Sequence, residues 1–144
     1  MRRFIELGVE SGATLVTGGA EAPGDVETGF FVRPMVFANV DPDSVIAREE
    51  IFGPVLCIIP HTSEESALEI ANNSRYGLHG SVWSADQDRA LAFARRGVRT
   101  GQINVNGAAY NPRALFGGYK LSGVGPEMGA EAMGKFTEIK SIPV

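Results

Sequence analysis

Two adjacent carboxylates, Glu49 and Glu50, stand directly ahead of Ile51-Phe52-Gly53-Pro54-Val55, so acids and an aromatic share one short run with the two residue types that most constrain a backbone. Gly53 and Pro54 predict a bend, and the proline pushes its predecessor out of helical geometry. The acids then lie on a turn that feeds the apolar run Val55-Leu56-Cys57-Ile58-Ile59, which reads as a buried strand. Neighbouring side chains in an extended segment point to opposite sides, so one carboxylate faces solvent while the other faces whatever the strand packs beside. Glu50 is the one expected to face inward. An inward carboxylate is costly unless polar groups meet it. A vicinal diol is a good match, because each carboxylate oxygen can accept one hydrogen bond, and sugars and riboses carry such diols. Spacing alone favours two solvated charges on a turn, the commoner fate of Glu.

The chain that must position this turn has 144 residues, enough for one domain with its own core and too few for two ordinary ones. Its 44% hydrophobic and 21% charged residues are those of a soluble globular protein, not of a disordered one. A formal net charge of −4 argues against nucleic acid as the main partner, because phosphate neutralisation needs a clustered basic surface. The densest basic patch, Arg95, Arg96 and Arg99, falls at an expected helix end, where cations oppose the dipole. No run approaches the roughly 20 apolar residues of a membrane span. Met1-Arg2-Arg3 leads into an amphipathic segment instead of a signal-peptide core, so a cytosolic location is expected. The single cysteine closes no internal disulfide, which agrees with a reducing compartment.

Taken in order, residues 4–9 predict a short helix closed by Gly12, and Ala13-Thr14-Leu15-Val16-Thr17 is β-rich. A polar loop over 21–29 precedes the strongly β-prone segment from Phe30 to Phe37, whose Pro34 confines it to an edge or forces a bulge. These two segments read as a pair of outer strands. After the acidic turn and its strand, Thr62 is a plausible N-cap with Glu65 three residues on, predicting a helix over 63–72. Residues 78–83 read as the next strand, Ser84 as the cap of a helix running to Gly97, and residues 101–106 as a third strand. Strand, helix, strand, helix, strand with short joints is the pattern of a parallel sheet with crossover helices, so the class is α/β. Ligands of such sheets sit beyond the carboxyl ends of the strands, which puts the Gly-rich, aromatic loop 106–118 beside a candidate site. Gly125-Pro126-Glu127 can begin a short helix, and residues 136–142 alternate as a half-buried terminal strand does.

Three motifs together carry a resemblance: Glu49-Glu50-Ile51-Phe52-Gly53-Pro54-Val55, then Ala71-Asn72-Asn73-Ser74-Arg75-Tyr76-Gly77-Leu78, then Phe116-Gly117-Gly118-Tyr119-Lys120-Leu121-Ser122-Gly123. In this order and spacing they resemble the C-terminal part of the NAD(P)-dependent aldehyde dehydrogenases. The likeness runs upstream through Gly29 to Phe37 and down to the terminal segment, covering nearly the whole chain but only about the last third of the family's length. It departs from the family at Pro126, where relatives often carry arginine. The resemblance implies part of a catalytic domain over about 1–135 and an oligomerisation strand over about 136–144 that adds to a neighbouring subunit's sheet, hence a homo-oligomer. It implies that Glu50 hydrogen-bonds the nicotinamide ribose hydroxyls of NAD or NADP, in agreement with the diol argument, and that Phe52 and Leu78 pack near the nicotinamide ring. It implies further that Phe116 lines the aldehyde tunnel and that Tyr110 lies in the loop shaping it.

The family's chemistry needs a cysteine thiolate to attack the aldehyde, a Glu general base and a dinucleotide-binding domain, and the resemblance places all three upstream of this segment. No residue here is therefore assigned a catalytic role. Cys57, the only thiol, sits inside Val-Leu-Cys-Ile-Ile, where burial raises its pKa and limits access, so it reads as a structural cysteine. Gly123-Val124-Gly125 starts like a dinucleotide fingerprint, but Gly129 comes one place too late and no apolar strand precedes it. His61 and His79 have no ligand-spaced Cys or carboxylate, so no metal site is expected; they read as a loop and a strand residue. Trp83, Phe30 and Phe31 are expected to fill core or interface. The expected function is the C-terminal portion of an aldehyde-oxidising enzyme, inactive alone. The alternative is a non-catalytic remnant or association module, whose terminal strand and uncovered strand edges bind another chain.

Overall fold

Apolar residues at Ile5 and Gly8 turn one side of helix α1 (Arg2–Glu10) onto a small sheet, and Ser11 with Gly12, at φ +83°, closes the helix. The computed structural model describes residues 1–24, 26 and 28–144. Two units form, Met1–Ser74 and Arg75–Val144, each with its own internal packing.

In the first unit β1 (Thr14–Thr17) pairs antiparallel with β2 (Met35–Ala38), which pairs parallel with β3 (Val55–Cys57). Helix α2 (Val45–Arg48) lies between β2 and β3 in sequence, and α3 (Glu64–Asn72) follows them. Ile5, Met35, Phe37, Val40 and Ile46 are the buried cluster, with Leu7, Ile51, Val55, Cys57 and Ile59 packed around it. Gly8 lets the helix approach the sheet: a Cβ there would lie 2.8 Å from the Phe37 ring.

Several sequence expectations need correction in this unit. The β-prone segment from Phe30 pairs only from Met35 onward, because Pro34 has no N–H to give to the ladder, and the bulge falls in β1 between Leu15 and Thr17. Phe30 and Phe31 are exposed and fill no core. The strand after the acidic turn is not buried on both faces. Val55, Cys57 and Ile59 are half-buried while Leu56 and Ile58 alternate outward. The α3 cap sits one residue later than read. Ser63 and Ser66 each donate a backbone N–H to the other's hydroxyl, at 3.0 and 3.2 Å, so a serine takes the role expected of Glu65.

In the second unit β5 (His79–Val82) and β6 (Gln102–Val105) pair in parallel across helix α4 (Gln87–Arg95), while β4 (Tyr76–Gly77) pairs antiparallel with β7 (Tyr119–Lys120). The α/β class holds, but the strands pair as separate small pieces, two pairings being antiparallel, instead of one parallel sheet. Asp86, not Ser84, caps α4: its carboxylate accepts from the Arg89 N–H at 3.0 Å, and the Ser84 hydroxyl supports Asp86 by accepting its N–H. Glu127 does not enter a helix. It forms an antiparallel bridge with Phe116, and a 3-10 helix starts only at Ala130. Residues 137–144 form no strand, since no strand among the described residues offers them a ladder. Trp83 is exposed instead of buried in core, although its ring sits close against Gly107.

Candidate functional site

The acidic turn begins where α2 ends. Glu49 is the extended C-cap residue, with its N–H bonded to the Val45 carbonyl at 3.0 Å, and the Pro54 carbonyl accepts from Met35 at 2.8 Å to tie the far end of the turn to β2. Between these anchors burial alternates. Glu49 and Ile51 are half-buried, Glu50 and Phe52 exposed. The expectation that Glu50 faces inward is corrected: the core takes Ile51, and alternation then turns Glu50 outward and gives Glu49 the sheltered place. The Glu50 carboxylate has no hydrogen bond or ion pair among the described residues. Phe52 is held at φ +51° with 84% of its surface exposed. A bulky residue in the left-handed region is an outlier that the surrounding backbone must hold in place. The turn thus presents a carboxylate and an aromatic ring, two residues apart, to the outside.

A cavity of about 930 Å³ lies within the second unit. Residues Gly101 to Asn104 of β6 and its lead-in form one wall and the loop from Ala108 to Phe116 the other. Tyr110 and Phe116 both line it, so these two sequence-predicted residues are brought together. Phe116 is half-buried and fixed by paired backbone bonds with Glu127, at 2.9 and 2.7 Å. Tyr110 is exposed, and its hydroxyl donates to the Met128 sulfur at 3.4 Å. Leu78 occupies the bend between β4 and β5, with its carbonyl accepting from Gln102 at 3.2 Å, and does not line the cavity. His79, Gln102, Asn104 and Met128 line it and were not singled out as site residues from the sequence. The pairing of His79 with Gln102 carries that information, and no local pattern announces it.

Cys57 is half-buried, its thiol donating to the Ile46 carbonyl at 3.5 Å, and desolvation by burial pushes its pKa above the ordinary thiol value. Less of it is thiolate at neutral pH than of a free cysteine. Iodoacetamide is therefore expected to label the native chain at least about tenfold more slowly than a free thiol at pH 7.5, with the rate climbing as pH rises past the ordinary thiol range. Labelling followed by intact-mass measurement checks this, and fast modification at neutral pH would contradict the structural role. Among the described residues no group of three His, Cys, Asp or Glu is placed to hold a metal ion. None of the described helices is long and apolar enough to cross a membrane.

The model of the Aldehyde dehydrogenase family matches residues 1–142. A geranial dehydrogenase of Castellaniella defragrans is 51% identical over 99% of this chain and 29% of that protein. A 3-succinoylsemialdehyde-pyridine dehydrogenase of a Pseudomonas species is 48% identical over 96% of this chain and 29% of its own length. Among solved structures, aldehyde dehydrogenase C of Pseudomonas syringae, a mutant complexed with NAD+ and octanal, matches with a TM-score of 0.90 and 44% identity over 95% of this chain and 28% of that one. A Mycobacterium tuberculosis aldehyde dehydrogenase complexed with NAD+ matches with a TM-score of 0.89 and 47% identity, over 95% and 28%. The chain spans about 29% of the length of the curated relatives it matches.

Proposed function

Because this chain belongs to the aldehyde dehydrogenase family, we propose that it is the C-terminal portion of an enzyme oxidising aldehydes to carboxylic acids with NAD(P)+. The first unit supplies the ribose contact and the second supplies a wall of the aldehyde site. The nucleophilic cysteine comes from residues outside this sequence, since Cys57 is engaged in packing. The observation that supports this reading is the family match over residues 1–142, within which the turn presents the exposed Glu50 carboxylate two residues from the exposed Phe52 ring.

The residues fit a nicotinamide nucleotide by their chemistry. Glu50 offers two acceptor oxygens to the ribose hydroxyls, and Phe52, 84% exposed, offers apolar surface to the ring. NAD(P)+, when bound, supplies the hydride acceptor. Fixing the ribose limits the ring's freedom, which is the positioning this chain contributes to the reaction. On the second unit Phe116 and Tyr110 exclude water from the aldehyde's path and hold its chain. In this reading the enzyme is cytosolic and residues 136–144 become a strand only by adding to a neighbouring subunit's sheet, making a homo-oligomer.

A graft tests the proposal. This chain, replacing the matching segment of the geranial dehydrogenase, is expected to yield a folded enzyme that forms NADH from NAD+ and geranial; a folded graft without turnover would count against it. A second reading, association without catalysis, draws on the fully exposed Ile139 and on Ile142 and Phe136, which are 73% and 79% exposed. A monodisperse, folded monomer on size exclusion removes the motive for it.

A further inference from the structure

We infer that Asn106 is a modification site, where the chain deamidates spontaneously and thereby unfastens the loop that begins there; this stands apart from the reading above and involves neither cofactor nor aldehyde. Six asparagines occur in the sequence, and only Asn106 precedes a glycine. Asn106 and Gly107 are the central residues of an exposed turn, with φ of +51° and +71°, closed by the Ala108 N–H on the Val105 carbonyl at 3.1 Å. Glycine is required at the second place on two counts: a positive φ suits it, and a Cβ there would lie 2.8 Å from the Trp83 ring. The same missing side chain leaves the Gly107 nitrogen open to the neighbouring carboxamide. That N–H has no hydrogen-bond partner among the described residues.

In the reaction the Gly107 nitrogen gives its proton to solvent base and attacks the carbonyl carbon of the Asn106 side chain. The new N–C bond closes a cyclic imide as the bond to the side-chain nitrogen breaks and ammonia leaves. Water then opens the imide at either carbonyl, giving aspartate or isoaspartate with no change of oxidation state. The fold restrains the first step. The Asn106 carboxamide accepts the Ser84 N–H and donates to the Ser84 carbonyl, both at 2.9 Å, which extends the β5–β6 pairing by a side-chain rung. Attack requires the carboxamide to turn away from Ser84, so ring closure in the native chain is expected to be at least about tenfold slower than in the unfolded one. The product does not remake the rung, because a carboxylate oxygen stands where the donor was and meets the Ser84 carbonyl. The loop from Ala108 to Phe116 then loses its tie to the end of β5, and the Trp83 ring its seat on Gly107.

Trp83 is the sole tryptophan, so its emission reports this site alone. The test holds the purified 144-residue chain in mildly alkaline buffer, with and without urea, and samples it for peptide mapping, tryptophan emission and far-UV dichroism. In urea Asn106 is expected to convert first among the asparagines, and another converting ahead of it would overturn the assignment. Without urea its conversion is expected to be at least about tenfold slower, and equal rates would overturn the restraint by Ser84. As the folded chain converts, emission is expected to shift to the red in proportion to the loss of Asn106, with the dichroism unchanged. Complete conversion that leaves emission unmoved would overturn the unfastening. Asn106→Asp, made directly, should show the same shift at once, and the time course of the unsubstituted chain decides the matter without relying on that variant's folding.

Discussion

Phe37→Ala is expected to lower the stability of the first unit by about 3–5 kcal/mol, the range for removing a fully buried aromatic ring. Phe37 has no exposed surface and is the largest member of a cluster of only five buried residues, so little surrounding structure is available to close over the void. It also joins three elements: it sits in β2, its Cα partner in β3 is Cys57, and its ring lies against Gly8 of α1. A loss of that size is a large share of the 5–15 kcal/mol typical of a whole domain, so α1 is expected to come away from the sheet. Urea unfolding followed by far-UV dichroism measures this as a lower midpoint. Phe37→Leu, which keeps most of the volume, should recover the greater part of the loss. A cost under about 1 kcal/mol for the alanine would mean that the core lies elsewhere.

Glu50→Gln in the geranial dehydrogenase graft is expected to raise KM for NAD+ by roughly 10- to 100-fold, while the urea midpoint stays where it was. Hydrogen bonds to a charged partner contribute about 1.5–3 kcal/mol, which is that range of affinity. The glutamine keeps one acceptor oxygen, so it retains part of the contact and loses the charge. Stability is spared because the Glu50 carboxylate meets no partner among the described residues and stands in water. A structural role would invert the result, moving the midpoint and leaving KM alone.

Much of the fold was legible because periodicity and caps are local. Helices α1, α3 and α4 fall where apolar spacing places them, although Ser63 and Asp86 cap α3 and α4 instead of Thr62 and Ser84, and β5 and β6 lie within the segments read as strands. The errors fall where two local rules compete or where the partner is distant. The inward placement expected of Glu50 fails because alternation fixes only that neighbours oppose. Which one goes inward is decided by Ile51, whose apolar side chain the core takes first. Serine at position 66 completes the α3 capping box by exchanging bonds with Ser63, and the sequence rule looks for Glu or Gln there. Helix α2 has four residues, too few for any period to emerge.

The site divides the same way. The carboxylate and the aromatic of the acidic turn are visible as residue types at a fixed spacing, and Tyr110 and Phe116 share one loop-rich stretch. His79 and Asn104 enter the cavity wall only through the register in which β5 pairs with β6, a contact between residues more than twenty positions apart. Residues 136–142 alternate like a strand, yet a strand needs a ladder partner, and none is offered among the described residues. That the sequence pattern asks for one agrees with the proposed addition to a neighbouring subunit.

At the centre stands the proposal that this chain presents the cofactor and shapes the aldehyde's path while the attacking thiolate comes from elsewhere. Absorbance at the NADH band, followed while the purified chain alone is incubated with octanal and NAD+, tests it most directly. A flat trace is expected, because Cys57 packs beside the core with a raised pKa and no other thiol exists in the sequence. Sustained NADH formation that disappears on replacing Cys57 by alanine would contradict it outright.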